Sequence, residues 1–242
     1  MSQGTKPAAP RWRRRMRRLR RPAWLGTVRR TAPLSDDWGR DRGTPLDRYY
    51  IGEFLAAERN AIRGRVLEVK DAEYTQRFGT GVERSDILDI DRSNASATIV
   101  ADLAEADGVP SDTFDCFILT QTLQYIYDVG RAVRHAHRIL RPGGTLLCTV
   151  PSVSRIGSRD LDSTYWRFTA ASCSRLFGDA FRGGEVDVRA RGNVLSAVAF
   201  LVGMAHEELS LSELDLDDPF FPVVLTVRAT KAPGGPSAGT AA

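Results

Sequence analysis

The most constraining feature of the sequence is a strand–helix–strand unit in residues 114–150. The run FDCFILT at residues 114–120 is almost continuously apolar, as in a parallel strand buried on both faces. Residues 129–140 have the spacing of an amphipathic helix, and the basic residue, proline and glycines of RPGG at residues 141–144 predict its end. A second apolar run, TLLCTV, follows at residues 145–150. This order predicts a βαβ unit and therefore a mainly parallel sheet.

Similar elements extend this unit over most of the chain. Short apolar or alternating runs predict further strands at residues 65–69, 86–91, 97–100, 186–190 and 220–229, and apolar periodicity predicts helices at residues 48–62, 169–177 and 193–209. Asp47 is expected to cap the first of these helices. The sequence thus predicts an α/β fold with a Rossmann-like, doubly wound, mainly parallel seven-stranded sheet.

The charge of the chain is concentrated in one segment. Eight arginines fall in residues 11–21, and without them the chain is slightly acidic, although its formal net charge is +4. We expect residues 1–42 to form a basic, disordered tail, residues 43–231 to form one folded domain, and residues 232–242 to be disordered. The arginine run predicts at most a weak anionic partner and no specific nucleic acid, because no RNA-binding module accompanies it.

Other patterns limit the location and the metal chemistry. No run of about 18 apolar residues is present, so we expect no membrane span. The three cysteines, Cys116, Cys148 and Cys173, are widely spaced among apolar neighbours, which indicates a reducing, cytoplasmic compartment. His135 and His137 are two residues apart and lie on different faces of a helix, so no metal site is expected.

Polar residues follow the ends of successive predicted strands. They are Glu68, Asp91, Asp102, and Thr120 with Gln121. Doubly wound sheets bind ligands at the carboxyl ends of their strands, so these side chains are expected to face one cleft. Asp91 is suited to accept hydrogen bonds from both hydroxyls of a ribose. The structural alternatives are a turn capped by Asp91, a short helix capped by Asp102, and a buried hydrogen-bond role for Glu68.

Several segments also resemble a known superfamily. They are VLEV at residues 66–69, DID at 89–91, ADL at 101–103, VPSDTFDCFILTQTLQYI at 109–126 and HRILRPGGTLLCTVP at 137–151. Over residues 64–231 the chain resembles class I S-adenosylmethionine-dependent methyltransferases, in the subgroup related to ubiquinone-biosynthesis and type 11 methyltransferases. The resemblance implies an antiparallel last strand, S-adenosyl-L-methionine as cofactor, and methylation of a small molecule or glycan.

The resemblance also implies roles for the residues at the strand ends. Asp102 would meet the adenine amino group and the Leu103 backbone would meet the ring. Glu68 would orient the methionine portion, directly or through the following loop. Thr120 and Gln121 would lie beside the sulfonium and the acceptor.

The loop after the first strand departs from the family pattern. The three glycines of acidic-x-Gly-x-Gly-x-Gly are replaced by Lys70, Ala72 and Tyr74. Lys70 places a cation near the expected sulfonium, where it would pair with the carboxylate of the ligand or with Glu68. Two interpretations follow: an active methyltransferase with an altered loop, or a catalytically inactive binding or scaffold protein on the same fold.

The acceptor side is predicted around Gln121 and the segment YWRFT at residues 165–169. Tyr165 and Trp166 would form a flat wall, and Arg167 would hold an acidic group. YWRFT also resembles bacterial methyltransferase-like proteins encoded near glycosyltransferases, which suggests a sugar acceptor. The alternative is that Trp166 is a core anchor and Arg167 a solvated charge. No catalytic residue is assigned, because methyl transfer needs a general base only when the acceptor must lose a proton.

Overall fold

A computed structural model of the chain describes Gly26 and residues 29–234. It divides the chain into two units, Met1–Pro33 and Leu34–Ala242. In the first unit, the backbone N–H of Arg29 donates to the carbonyl of Gly26 over 3.3 Å. The arginine run and residues 235–242 lie outside the described residues, so what the sequence predicts for the two tails stays a prediction.

The second unit is built on a seven-stranded sheet. The strands are β1 (Gly64–Val69), β2 (Val82–Asp89), β3 (Ile99–Val100), β4 (Phe114–Thr120), β5 (Leu140–Pro151), β6 (Glu185–Arg191) and β7 (Val224–Thr230). Their order is β3-β2-β1-β4-β5-β7-β6, and β7 runs antiparallel to both of its neighbours. The remaining pairs are parallel. The predicted Rossmann-like α/β sheet with an antiparallel last strand is confirmed.

Helices cover both faces of this sheet. The α-helices are α1 (Leu46–Ala57), α2 (Glu73–Phe78), α3 (Val129–Ile139), α4 (Ala170–Ala180), α5 (Val194–Val202) and α6 (Leu211–Leu214). Along β4, Phe117 packs with α3 and α4, whereas Cys116 and Ile118 pack with α1 on the opposite face. Burial on both faces explains why the strand reads as a continuous apolar run. No helix of the described residues has the length and hydropathy needed to cross a membrane.

The predicted start of α1 and the predicted end of α5 are wrong. Asp47 does not cap α1, because Pro45 is the N-cap residue and the Asp47 carboxylate accepts instead from the N–H of Arg48. The helix predicted at residues 193–209 ends at Val202, where Gly203 takes the left-handed conformation with φ of 80°. Gly203 lacks a Cβ and ends the helix at little conformational cost.

The elements around β2 also differ from those predicted from the sequence. The strand predicted to end at Asp91 ends at Asp89, two residues earlier. Helix α2 was not predicted, although it lies where the altered glycine loop was expected.

The segment before α1 is attached to the second unit by hydrogen bonds. The N–H of Leu34 donates to the carbonyl of Val202 over 2.7 Å, and the N–H of Thr44 donates to the Glu207 carboxylate over 2.9 Å. Arg42 forms an ion pair with Glu208. The contacts of Leu34 and Arg42 lie on the N-terminal side of the boundary predicted at residue 43, and Trp38, Arg40 and Thr44 of this segment line the cavity described below.

Candidate active site

One large cavity lies at the carboxyl ends of the strands. Its volume is about 1670 Å³. Of the residues selected from the sequence, Glu68, Lys70, Asp91, Asp102, Leu103, Thr120, Gln121, Tyr165 and Arg167 line it. Trp166 does not, because its indole N–H donates to the carbonyls of Ile126 and Tyr127 at 3.0 and 3.2 Å. Trp166 therefore holds the neighbouring loop and does not form the predicted acceptor wall.

Glu68 organises the loop that follows β1. Its side chain is 1% exposed, and its carboxylate accepts from the backbone N–H groups of Tyr74 at 3.0 Å and Thr75 at 2.7 Å. The Thr75 hydroxyl donates to the same carboxylate at 2.6 Å. Burial raises the pKa of Glu68, and the hydrogen bonds from Thr75 and Tyr74 oppose that shift. Both oxygens are thus engaged with the start of α2, which is the structural role that the sequence left open.

Lys70 has a backbone conformation that is unusual for a residue with a side chain. Its φ is 74°, in the left-handed region that favours glycine. Its N–H donates to the carbonyl of Leu88 over 2.9 Å, and its carbonyl accepts from the Asn94 side-chain amide over 2.7 Å. These bonds tie the loop after β1 to β2 and to the turn that follows β2.

Tyr74, at the third glycine position, forms part of the cavity wall without filling the cavity. Its ring is 8% exposed and stacks on Phe78 with the ring centroids 6.3 Å apart. Its hydroxyl accepts from the Arg48 guanidinium over 2.7 Å. The cavity that remains is lined by both Asp91 and Asp102.

Asp91 lies in the turn after β2 and is exposed. Its Oδ1 accepts from the N–H and the hydroxyl of Ser93, each at 2.8 Å. These bonds lower its pKa and keep the carboxylate ionised. The second oxygen, Oδ2, has no hydrogen-bond partner in the described part of the chain. Asp91 therefore caps a turn and still presents one carboxylate oxygen to the cavity.

Sequence analysis missed two residues that set this turn. Asp89, the last residue of β2, accepts from the N–H of Asp91 at 3.0 Å and from the Asn94 amide at 2.7 Å. The same Asn94 amide also donates to the carbonyl of Lys70. The available signal was the series of Asp, Ser and Asn after an apolar run, since these residues fix turns through their side chains.

Asp102 and Leu103 begin a short 3₁₀-helix, Leu103–Gly108, at the cavity wall. The Asp102 Oδ1 accepts from the N–H of Ala104 over 2.8 Å, as an N-cap residue does. Its Oδ2 accepts no hydrogen bond from residues 29–234. Asp102, like Asp91, thus combines a local capping role with one available acceptor atom.

The end of β4 supplies polar atoms to the middle of the cavity. Gln121 has a φ of 46°, and its N–H donates to the carbonyl of Thr149 over 2.9 Å. Its side-chain Nε2 is buried and has no partner in the described structure. The adjacent Gln124, which sequence analysis missed, is 5% exposed; its Nε2 donates to the Gln121 carbonyl and its Oε1 is also unpaired. An unpaired buried donor and acceptor are typical of a site that binds a polar ligand.

Charge divides the cavity into two halves. The half formed by the ends of β1 and β2 and by the start of the 3₁₀-helix is lined by the basic residue Lys70 and by six acids: Glu68, Asp71, Glu73, Asp89, Asp91 and Asp102. The half formed by the loop after β5 and by residues 34–44 is lined by Arg40, Arg155 and Arg167. Sequence analysis predicted three of these six acids, Glu68, Asp91 and Asp102, and one of the three arginines, Arg167.

Comparison with known proteins supports the fold and the family. Residues 67–148 match the family described as "Methyltransferase domain", and they span β1 to β5 with the acidic half of the cavity. In this region the chain is similar to methyltransferases. A curated relative is the ubiquinone/menaquinone biosynthesis C-methyltransferase UbiE of Methylobacterium nodulans, which is 32% identical over 97 residues, covering 38% of this chain and 35% of that protein.

A second curated relative is the demethylmenaquinone methyltransferase of Lysinibacillus sphaericus, 28% identical over 74 residues, covering 30% of this chain and 32% of the relative. The chain thus spans about a third of the length of the curated relatives that it matches.

Solved class I structures share the fold at low sequence identity. The S-adenosylmethionine-dependent methyltransferase from Mesorhizobium loti superposes with a TM-score of 0.53 at 18% identity, covering 77% of this chain and 100% of that one. The [4+2]-cyclase SpnF superposes with a TM-score of 0.54 at 16% identity, covering 80% of this chain and 84% of that one. At such identities the likeness concerns architecture only, and the chemistry must be argued from the site.

Proposed function

We propose that this chain is an S-adenosyl-L-methionine-dependent methyltransferase that acts on a small molecule or glycan. One observation carries the proposal. A single cavity joins an acidic half at the ends of β1 and β2 to an arginine-lined half after β5, with the unpaired amide atoms of Gln121 and Gln124 on its wall. A bisubstrate enzyme needs such a continuous space, because donor and acceptor must meet in one pocket.

The residues of the acidic half fit the nucleoside portion of the cofactor. Asp91 keeps one ionised oxygen for the ribose hydroxyls. Asp102 keeps one oxygen for the adenine amino group, and the backbone of Leu103 would contact the ring. Glu68 acts through the loop, since its two oxygens are already occupied by Tyr74 and Thr75.

Lys70 would meet the methionine portion of the cofactor. Its backbone has the left-handed conformation that glycine adopts readily, and the residue lines the cavity. Its ammonium group lines the cavity and has no carboxylate within 4.0 Å among the described residues. An α-carboxylate is the complementary partner for this cation.

The chain contributes positioning to the reaction. When bound, S-adenosyl-L-methionine supplies a methyl carbon that is already activated by the sulfonium. Gln121 and Gln124 would hold the polar group of the acceptor through their unpaired Nε2 and Oε1 atoms. Bringing reactants to near-attack distance accounts for much of the rate gain in such displacements.

Binding of S-adenosylhomocysteine, measured by calorimetry, tests the proposal. We expect the wild type to bind and Asp91→Ala to bind about 10- to 100-fold more weakly, because hydrogen bonds to a charged group contribute about 1.5–3 kcal/mol. Asp162→Ala is the matched control, since Asp162 is exposed and lies outside the cavity wall. Absence of heat with the wild type, or equal affinities of the two variants, would refute the proposed use of Asp91.

A non-catalytic binding or scaffold protein is the second candidate. The specific observation in its favour is the loop at Lys70, Ala72 and Tyr74, where side chains replace all three glycines. This candidate expects Asp91→Ala to leave cellular function unchanged. Transfer of a methyl group from radiolabelled cofactor to any acceptor would exclude it.

The arginine run and the cellular location belong to the same proposal. We expect residues 11–21 to add weak, salt-dependent attraction to an anionic partner, and we expect the protein to act in the cytoplasm. Removing residues 1–33 leaves the contacts of residues 34–44 in place. Unchanged retention of that truncated chain on an anionic resin would contradict a role for the run.

A further inference from the structure

We infer that the half of the cavity lined by Arg155 and Arg167 binds an anionic group, a phosphate or a carboxylate, of the methyl acceptor. The inference rests on the proposed function, because it names the chemical class of the acceptor. It also adds Trp38 and Arg155 to the site, from two segments far apart in the sequence.

Trp38 holds Arg155 in place. The indole N–H donates to the Ser154 hydroxyl over 3.1 Å, which fixes the ring against the loop after β5. The guanidinium carbon of Arg155 lies 4.8 Å from the centroid of that ring. Arg40, from the same segment as Trp38, lies 5.8 Å from the centroid. A cation over an aromatic face is ordered without using its N–H groups, which stay directed to other acceptors.

The Arg155 guanidinium has no partner in the described part of the chain other than the Trp38 ring. No carboxylate of residues 29–234 lies within 4.0 Å of it, and its N–H groups donate no hydrogen bond there. Arg155 itself is only half-exposed. A partly desolvated guanidinium fork without an acceptor is matched by a phosphate or carboxylate, which accepts two N–H groups at once.

Arg167 is held beside it by the backbone. Its Nη2 donates to the carbonyls of Ser154 at 3.3 Å and Arg155 at 3.1 Å, and its Nη1 donates to the carbonyl of Trp166 at 2.9 Å. Burial lowers the pKa of Arg167. Like Arg155, it has no carboxylate within 4.0 Å among the described residues. The guanidinium groups of Arg155 and Arg167 thus both belong to the loop after β5.

Hydrogen bonds and the covalent chain together connect this pair to the middle of the cavity. Arg167, whose guanidinium donates to the Ser154 carbonyl, lies two residues after Tyr165. The N–H of Tyr165 donates to the carbonyl of Gln124 at 2.8 Å, and Gln124 in turn donates to the carbonyl of Gln121. The anionic group and the polar atoms beside the expected sulfonium would therefore be held by one connected wall.

An acid also faces this half of the cavity. Asp160 lines it, and its carboxylate is 3.5 Å from the Tyr125 hydroxyl. Arg40 is partly compensated by Asp37 at 3.6 Å. Arg155 and Arg167 carry two positive charges and Asp160 carries one negative charge. This half therefore keeps a net positive charge, opposite to that of the acidic half. An acceptor with an anionic group on one side of its ring matches that polarity.

Calorimetric titration at constant ionic strength tests the inference with three probes that share a ring: glucose 1-phosphate, glucuronate and glucose. We expect at least one anionic probe to bind about 10-fold or more tightly than glucose, and the stronger one identifies phosphate or carboxylate. Arg155→Gln is expected to abolish that preference. Arg159→Gln is the control, because Arg159 is exposed on the same loop and does not line the cavity.

Three results would overturn the inference: equal affinity for glucose and both anionic probes, no saturable binding of either anionic probe up to about 10 mM, or equal effects of Arg155→Gln and Arg159→Gln. Titration of S-adenosylhomocysteine on the same samples separates the two proposals. If it binds and the anionic probes do not, only the acceptor class is wrong. If the probes bind and it does not, the proposed methyltransferase function fails and the anion subsite stands.

Discussion

Replacing Glu68 tests how a loop without glycines is held in shape. The Glu68 carboxylate receives three donors from the start of α2: two backbone N–H groups and the hydroxyl of Thr75. All of these atoms are buried with Glu68, whose side chain is 1% exposed. In Glu68→Ala the donors would lose their acceptor.

The magnitude follows from the number of orphaned groups. A buried donor left without a partner costs about 1–3 kcal/mol. The Thr75 hydroxyl is free to rotate toward another acceptor, so the two backbone N–H groups set a loss of about 2–6 kcal/mol for Glu68→Ala. Glu68→Gln keeps one carbonyl oxygen but turns an amide donor toward the same N–H groups, so its loss is intermediate. Thr75→Val removes one hydrogen bond only, for a loss of about 1 kcal/mol.

Urea denaturation followed by circular dichroism measures these differences as free energies of unfolding. Glu83→Gln is the control, because Glu83 is an exposed residue of β2 and a surface change of this kind shifts stability by about 0.5 kcal/mol or less. Hydrogen exchange would locate the loss at Tyr74 and Thr75. A Glu68→Ala loss below about 1 kcal/mol would refute the idea that this carboxylate builds the loop.

Three further predictions concern separate parts of the molecule. Asn94→Ala removes the bonds to Lys70 and Asp89, so it should weaken S-adenosylhomocysteine binding severalfold in calorimetry, whereas the exposed Asn60→Ala should not. Gly203→Ala puts a Cβ against the Ser35 carbonyl at φ of 80° and should lower the melting temperature, whereas Gly52→Ala, with open space around it in α1, should raise it slightly. Burial raises the pKa of all three cysteine thiols, so at pH 8 they should resist a thiol reagent until urea unfolds the chain.

The centre of the sheet was predictable because β4 and most of β5 are buried on both faces. The apolar run at residues 114–120 predicts a buried strand, and the observed β4 begins and ends at the predicted residues. Helix α2 was not predictable in the same way. It is six residues long and depends on the carboxylate of Glu68, which lies before it in another element. Local propensity does not contain that contact.

Residues of the candidate site were likewise predictable only where the signal is local in the sequence. Strand ends are local features, so Asp91, Asp102 and Thr120 were expected at the cavity, and they line it. Trp38 fell within the predicted tail because residues 1–42 are rich in Arg, Pro, Gly and Ala. Its hydrogen bond to Ser154 spans 116 residues, a distance at which no periodicity in the sequence gives a signal.

Residues with a strained backbone conformation also line this cavity. Among the described residues, the non-glycine residues with positive φ are Trp38, Lys70, Gln121 and Asp112, and the first three line the cavity. A left-handed conformation costs a residue with a side chain about 1–2 kcal/mol, so each needs a compensating contact. The structure supplies one in each case: to Ser154 for Trp38, to Asn94 for Lys70 and to Thr149 for Gln121. Because strained residues that are held this way concentrate at binding sites, these three positions support the proposed use of the cavity as a ligand site.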